Sequence, residues 1–242
     1  MTLVCLKMSP IHRIFLPLAL SLLCGFFGLP HAASQTAQAI DTSAENLMVV
    51  LRESFGANKQ DEKLIPFGKL RTRLDDGREI DFQMAAFEFL GDMHIRFVFD
   101  APNFMRVAKP EDLVRLNLSP EAALQLAVSN IKRVYGRPVA TPSTAGLMQV
   151  DGQSPDLISS YFLDREFWEE LLKEHPEGLV AAVPKRGGLL FAPRSDFRAV
   201  RNLQKGVAYL HSSSERLRVS SAVYLFKDHH WTVFQAPVPT HQ

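Results

Sequence analysis

Three polar residues follow a short apolar run and could bind an anion. The stretch VFDAPNFMRV, residues 98–107, places Asp100, Asn103 and Arg106 within seven residues. An aspartate before Ala-Pro-Asn is typical of a turn, because its carboxylate can accept a backbone N–H and the proline fixes φ. Arg106 follows on a returning segment and could pair with Asp100. The stretch therefore predicts either a turn clamped by its own ion pair or an anion-binding arginine oriented by Asp100.

A further candidate arginine lies in PKRGG, residues 184–188. Two glycines after Arg186 would let backbone N–H groups approach an anion. The alternative interpretation is a plain hairpin turn, which is the usual role of a glycine pair. Neither GxxxxGK nor GxGxxG occurs in the chain, so the common nucleotide-binding fingerprints are absent.

Basic residues also recur at helical spacing near the C-terminus. Arg194, Arg198, Arg201 and Lys205 would form one stripe on a helix predicted over 196–210. Such a stripe is either a solvated helix face or a contact with an anionic partner such as phospholipid or an envelope polymer.

The signatures of metal and nucleophilic catalysis are missing. Asp228-His229-His230 suggests metal ligands, but adjacent residues on a strand diverge and the chain has no HExxH. GxSxG is absent as well. Six histidines follow residue 33: His94, His175, His211, His229, His230 and His241. We therefore predict no metal and no cofactor, although a pair of carboxylates that meets only in space stays open.

Two segments resemble the YtpQ-like family, domain of unknown function 1444. They are FDAPNFMRVAKPEDLVRLNLSPEAALQLAVSNI, residues 99–131, and LVAAVPKRGGLLFAP, residues 179–193. The first matches the family's Asp-x-Pro-x-x-Met-Arg pattern at Asp100, Pro102, Met105 and Arg106. The second matches its Val-Pro-x-Arg-Asp and Leu-Leu-Phe patterns at Val183, Pro184, Arg186 and 189–191, with Gly187 in place of the acid. The resemblance would cover most of residues 45–235. It implies a fold family and no activity, because the family is itself uncharacterised.

Composition and charge are those of an ordinary globular protein. The chain has 242 residues, of which 46% are apolar and 22% charged, with a formal net charge of +1. This balance gives no polyanion-binding footprint, so nucleic acid is not a predicted partner.

The N-terminus has the order of regions of a secretory signal peptide. Lys7 and Arg13 precede an apolar run at 14–29, and small residues follow Pro30. The run of 16 residues is short for an uncleaved anchor, which needs about 20. We expect cleavage near Ala33–Ser34 or after Ala39, and an exported, periplasmic or secreted protein with no membrane span after cleavage. Cleavage would remove both cysteines, so disulfides are not expected.

Hydropathy periodicity predicts the elements of the N-terminal half. Apolar residues at helical spacing follow Ser43, and DDG at 75–77 separates two alternating runs, which is typical of a hairpin. Ser119 and Pro120 are good first residues for a helix that Gly136 ends. The predicted elements are a helix over 43–55, hairpin strands over 69–74 and 78–82, strands over 94–99 and 104–107, and a helix over 119–135.

The C-terminal half follows RPVATPSTAG, residues 137–146, whose prolines and small residues predict a linker. Its predicted strands cover 147–150, 157–162, 179–183, 189–192, 217–226 and 231–235. Its predicted helices cover 164–174 and 196–210. Each half would contain a hairpin followed by a capped helix, as an internal duplication would produce.

The sequence therefore predicts an α+β fold with mixed or antiparallel sheets and flanking helices. The expected divisions are a signal peptide at 1–33, a flexible segment at 34–42, halves at 43–136 and 147–236, and a tail at 237–242. The favoured function is a non-catalytic binding or envelope-associated module whose partner is an unknown protein or an anionic ligand. The alternative is an enzyme that grips an anionic substrate through Arg106 and Arg186, with Asp100 as orienter or base. The ligand and the oligomeric state stay open.

Overall fold

Residues 40–73 and 75–239 are described by the structure, which is a computed structural model. The predicted signal peptide at 1–33, most of the segment at 34–42, Leu74 in the predicted hairpin, His241 and the last residues of the tail lie outside the described residues. The described residues form one compact unit.

Antiparallel strands and four α-helices alternate along this unit. In chain order, the elements up to residue 135 are β1 (Leu47–Glu53), β2 (Ile65–Pro66), β3 (Lys69–Arg73), β4 (Glu79–Gln83), β5 (Ala86–Glu88), β6 (Met93–Ala101), β7 (Phe104–Val107), α1 (Pro110–Arg115) and α2 (Pro120–Tyr135). The following elements are β8 (Val139–Pro142), β9 (Met148–Asp151), α3 (Arg165–Glu174), β10 (Leu179–Lys185), β11 (Gly188–Pro193), α4 (Phe197–Ser212), β12 (Val223–Lys227) and β13 (His230–Gln235). Short 3₁₀ segments lie at Ala44–Asn46, Thr144–Gly146, Pro155–Leu163 and Glu215–Leu217.

The strands form two main sheets and one hairpin. The first sheet has the order β1-β6-β5-β2, with β7 paired to the far end of β6. The second has the order β13-β12-β10-β11-β9-β8, and β3 pairs only with β4. All of these ladders are antiparallel. The α+β prediction is confirmed.

The predicted helix over 43–55 is wrong. Only Ala44–Asn46 is helical, and 47–53 is strand β1. Residues 47–51 are all buried because β6 pairs along their whole length and both faces of the strand are covered. A strand that is covered on both faces is apolar at successive positions. Such a sequence also has apolar residues at the spacing of a helix, so periodicity does not separate the two. Phe55, assigned to the helix face, is 71% exposed.

Two predicted strands in the C-terminal half are also corrected. Residues 155–163 are 3₁₀ rather than a strand over 157–162. Their polar groups bond to neighbouring elements, since Ser160 Oγ donates to the Val49 carbonyl at 2.8 Å. The predicted strand over 217–226 begins only at Val223, although Val219 and Ser220 still donate their backbone N–H groups to Pro184 and Val183 at the end of β10.

The predicted linker at 137–146 contains secondary structure. Val139–Pro142 is strand β8 at the edge of the second sheet, and Thr144–Gly146 is a 3₁₀ turn. An edge strand tolerates the proline, which cannot donate to a ladder. The prolines therefore mark a sheet edge, while the duplication of the two halves stays a prediction.

The remaining elements agree with the sequence. The hairpins β3–β4 and β10–β11 and the return strand β7 form as predicted. Ser119 Oγ accepts the Ala122 N–H at the start of α2, and Asp196 Oδ1 accepts two N–H groups at the start of α4. Asp164 stands at the start of α3, but its carboxylate pairs with Lys132 at 3.0 Å instead of capping the helix.

One buried carboxylate joins the two main sheets. Asp92, in the turn before β6, is 5% exposed. Its oxygens accept hydrogen bonds from the hydroxyls of Ser220 and Tyr224 and from both the N–H (2.9 Å) and the hydroxyl (3.1 Å) of Ser221. The Asp92 carbonyl also accepts the Ser54 N–H at 2.6 Å, just after β1. We define these residues as the Asp92 hub.

The turn that carries Asp92 tolerates only glycine at position 91. Gly91 has a φ of +63°, and a Cβ there would collide with the ring and hydroxyl of Tyr224. Burial and the nearby Asp92 raise the pKa of Tyr224 well above its ordinary value, so its hydroxyl remains a proton donor. This close contact places the first sheet directly against the start of β12.

We predict that Asp92→Ala lowers the free energy of unfolding by about 3 kcal/mol, because four buried donors lose their acceptor. Urea denaturation of residues 34–242 measures the change. Asp76→Ala in the exposed β3–β4 turn is the matched control and should change stability by less than about 0.5 kcal/mol. Equal stability of the two variants would contradict the role of Asp92 as the joint between the sheets.

Candidate anion-binding cleft

A cleft of about 490 Å³ opens where β1, the β6–β7 turn and the β10–β11 turn meet. We call it the arginine cleft. Its lining residues are Arg52, 100–105, Tyr135, Ser154, Asp156 and Arg186. Three of the four sequence-predicted site residues, Asp100, Asn103 and Arg186, therefore line one cavity.

The register of the first sheet places cationic side chains on the face that carries Asp100. Arg52 on β1 lies opposite His94 on β6, and Arg96 lies two residues further along β6. Because side chains alternate along a strand, Arg52, His94, Arg96 and Asp100 share one face of the sheet. The sheet thus brings a second and a third arginine towards the region that Arg186 reaches from the other sheet.

Arg186 reaches the cleft from the two-residue turn between β10 and β11. Lys185 pairs with Gly188 across this turn, so PKRGG is a hairpin turn. The turn is anchored by the Arg186 backbone, whose N–H donates to Leu217 and whose carbonyl accepts from Ser159, both at 3.0 Å. The side chain donates from Nη2 to the Arg216 carbonyl at 3.3 Å. Its Nε is buried and finds no hydrogen-bond partner within the described part of the chain.

The three arginines repel one another in a partly desolvated setting. Burial, with Arg186 and Arg96 nearby, lowers the pKa of Arg52 to about 10, and only Asp156 opposes this shift. Burial and Arg186 also lower the pKa of Arg96. Over residues 40–73 and 75–239, none of the three forms an ion pair with a carboxylate. Half-buried cations that form no ion pair are unfavourable, and a bound anion would relieve them.

The other end of the cleft is polar and partly acidic. The Tyr135 hydroxyl donates to Asp100 Oδ2, and the Asp100 carbonyl accepts from Asn46 Nδ2 at 2.6 Å. Burial and the bond to Asp100 raise the pKa of Tyr135 to about 12. Asn103 is exposed in the turn between β6 and β7. These groups can hydrogen-bond to hydroxyls or amides of a ligand whose acidic group lies among the arginines.

The predicted pairing of Arg106 with Asp100 is wrong. Arg106 lies opposite Phe99 in the β6–β7 ladder, and Asp100 lies opposite Met105. Alternation therefore sends Arg106 to the other face of the sheet. There its Nη2 donates to Asp112 Oδ2 at 2.9 Å and its guanidinium lies 5.3 Å from the centre of the Phe99 ring. Arg106 is a structural residue that ties β7 to α1.

A neutral histidine holds Arg96 in place. Arg96 Nε donates to His94 Nε2 at 2.8 Å, and Ser54 Oγ lies 3.1 Å from His94 Nδ1. Burial, together with Arg96 and Arg52, lowers the pKa of His94 to about 3. Since Nε2 accepts a hydrogen bond, we assign the proton to Nδ1. His94 thus positions Arg96 without adding a fourth positive charge.

Sequence reasoning missed Arg52, Arg96 and His94. Each is a polar residue within an otherwise apolar strand, LMVVLRE or MHIRFVFDA. Charged side chains are seldom buried without a reason, so their presence in buried strands was the available signal. Elsewhere, no group of three or more potential metal ligands occurs among the residues that the structure describes.

Comparison with known proteins does not add a relative. No family model, no curated protein and no solved structure matches the chain. The resemblance to the YtpQ-like family therefore stays a prediction. Within the described ranges, no helix has the length and apolar character needed to cross a bilayer.

We predict that His94 makes the protein less stable in mild acid. The folded pKa of about 3 lies below the unfolded value of about 6.5. The unfolded chain therefore binds the extra proton between these values. Stability is full above about pH 6.5 and falls as the pH drops towards 3, by up to about 1.4 kcal/mol per pH unit.

Urea denaturation at pH 7 and pH 5 tests this prediction. His94→Gln, which can still accept from Arg96, should lose about 2 kcal/mol less than the wild type between the two pH values. His230→Gln at the exposed first residue of β13 should behave as the wild type does. An unchanged pH dependence in His94→Gln would show that His94 does not stay neutral.

Proposed function

We propose that this chain is an exported binding protein, similar to the YtpQ-like family, whose arginine cleft holds an anionic ligand without transforming it. The observation that carries the proposal is that Arg52 and Arg186 line one cavity, with Arg96 on the same sheet face as Arg52. All three are half-buried and form no ion pair with a carboxylate among the described residues. Export is proposed on the signal-like order of residues 1–33.

The chemistry of the lining favours an acid that also carries hydroxyl or amide groups. Guanidinium groups form charge-assisted, often paired hydrogen bonds to carboxylates and phosphates. In the same cavity, Asn103 and Ser154 offer further donors and acceptors. A small organic acid or phosphate ester would complement both ends.

Binding without catalysis is favoured over the enzyme hypothesis. The enzyme required Arg106 and Arg186 to grip one substrate, and Arg106 lies on the opposite face of the sheet from Asp100. One oxygen of the Asp100 carboxylate already accepts a hydrogen bond from the Tyr135 hydroxyl.

Isothermal titration of residues 34–242 with citrate and with inorganic phosphate tests the proposal. We expect at least one of these anions to bind, and we expect Arg186→Gln to weaken that binding tenfold or more, because a charge-assisted hydrogen bond is lost. Arg71→Gln on the β3–β4 hairpin removes the same charge outside the cleft and should change the affinity less than twofold. Equal weakening by the two variants, or no binding of either anion, would contradict the proposal.

The ligand-free protein offers a second prediction. Arg52→Met keeps the apolar stem and removes one repelling charge, so we expect the free energy of unfolding to rise by about 1 kcal/mol. The same variant should lose the stabilisation that added citrate or phosphate gives the wild type. A fall of more than about 1 kcal/mol in the ligand-free variant would show that Arg52 is retained for the fold.

A further inference from the structure

The exposed side of helix α4 carries an ordered aromatic and basic stripe. Phe197, Arg201, Lys205 and Tyr209 follow one another at intervals of four residues, so they lie along one side of the helix. Phe197 is 78% exposed and Tyr209 is 72% exposed. Two aromatic rings thus stand in solvent at the two ends of a basic segment. We call these four residues, with the neighbouring Arg198, the α4 stripe.

The positive charge of the stripe is not balanced within the described chain. Arg198, Arg201 and Lys205 form no ion pair over the ranges that the structure covers. The one acid between residues 194 and 214 is Asp196, and its carboxylate caps the helix. The outer side of α4 therefore presents a net positive surface.

The opposite side of α4 accounts for the packing of the helix. Ala199, Val200, Leu203 and Val207 are buried against the second sheet, where they join Val180, Ala182, Ala192 and Val223 in an apolar cluster. The stripe adds nothing to this core. The buried side already holds the helix in place. The exposed rings of the stripe are therefore not needed for folding.

We propose that the α4 stripe docks this protein onto an anionic lipid surface. Arginine and lysine are attracted to acidic headgroups, while aromatic rings prefer the boundary between headgroups and acyl chains. From residue 197 to residue 209 the stripe extends about 18 Å along the helix axis, so all of its side chains can meet one flat surface together. This docking is independent of the arginine cleft, because the two sites share no residue.

An anionic membrane fits the stripe better than a nucleic acid or an acidic protein does. A polyanion would bind through the cations alone, which leaves the two aromatic rings without a role. The net charge of the whole chain is also only +1, which does not favour binding to a polyanion. The lipid surface supplies both an acidic layer for Arg198, Arg201 and Lys205 and an apolar boundary for Phe197 and Tyr209.

Vesicle co-sedimentation of residues 34–242, which include the whole compact unit, tests the proposal. We expect binding to vesicles of equal parts phosphatidylglycerol and phosphatidylcholine, and little binding to phosphatidylcholine alone. The triple variant Arg198→Gln, Arg201→Gln, Lys205→Gln should bind the anionic vesicles roughly a hundredfold more weakly. Phe197→Ser with Tyr209→Ser should weaken binding about tenfold while keeping its salt dependence.

The matched control is Arg71→Gln, Arg73→Gln, Arg78→Gln on the β3–β4 hairpin, which removes the same charge at another surface. It should bind within about twofold of the wild type. Equal weakening in the control and the stripe variant would show general charge attraction and overturn the proposal. It would also be overturned by absent binding to the anionic vesicles, or by tight binding to single-stranded DNA that the aromatic variant retains.

Discussion

The Asp92 hub fixes how the two main sheets pack against each other. Its carboxylate lies in the turn before β6 and accepts hydrogen bonds from residues that precede and begin β12, so it joins the two sheets without a solvent layer between them. The Asp92 carbonyl also holds Ser54 at the end of β1, two residues beyond Arg52. On the other side, the segment that carries Ser220 continues back to Leu217, whose carbonyl anchors the Arg186 backbone. The two walls of the arginine cleft are therefore positioned by one buried carboxylate.

The cleft is unfavourable for the free protein, and this supports a binding role. Arg52 and Arg96 lie on one sheet and Arg186 approaches from the other. Burial, Arg186 and Arg96 lower the pKa of Arg52, and burial and Arg186 lower the pKa of Arg96. A core serving stability alone would pair these cations or replace them with apolar residues. His94 instead accepts a hydrogen bond from Arg96 in its neutral form, which orients the guanidinium without adding a positive charge. The energy lost in assembling such a site can be recovered when an anion binds.

The sequence predicted the fold class, both tight hairpins and the helices α2, α3 and α4, because turn and cap residues mark these elements locally. It failed at residues 47–53, where a strand buried on both faces has no period-2 pattern to separate it from a helix. The residues of the candidate site likewise fall into those that the sequence predicted and those that it missed. Asp100, Asn103 and Arg186 were found because they lie in turns. The prediction put Arg106 beside Asp100, one residue away from its true position in the register. Arg106 lies opposite Phe99 instead, and no local sequence pattern reveals this register. Arg52 and Arg96 come together only through the pairing of β1 with β6.

The proposed function requires that an anion can bind between Arg52 and Arg186. The most direct test is a crystal structure of residues 34–242 grown with selenate, a tetrahedral dianion whose selenium can be located by anomalous scattering. We expect an anomalous peak in the arginine cleft, with oxygens about 2.7–2.9 Å from the guanidinium nitrogens of both residues. A cleft without a peak, in which these guanidinium groups pair with carboxylates of the same chain, would contradict the proposed function.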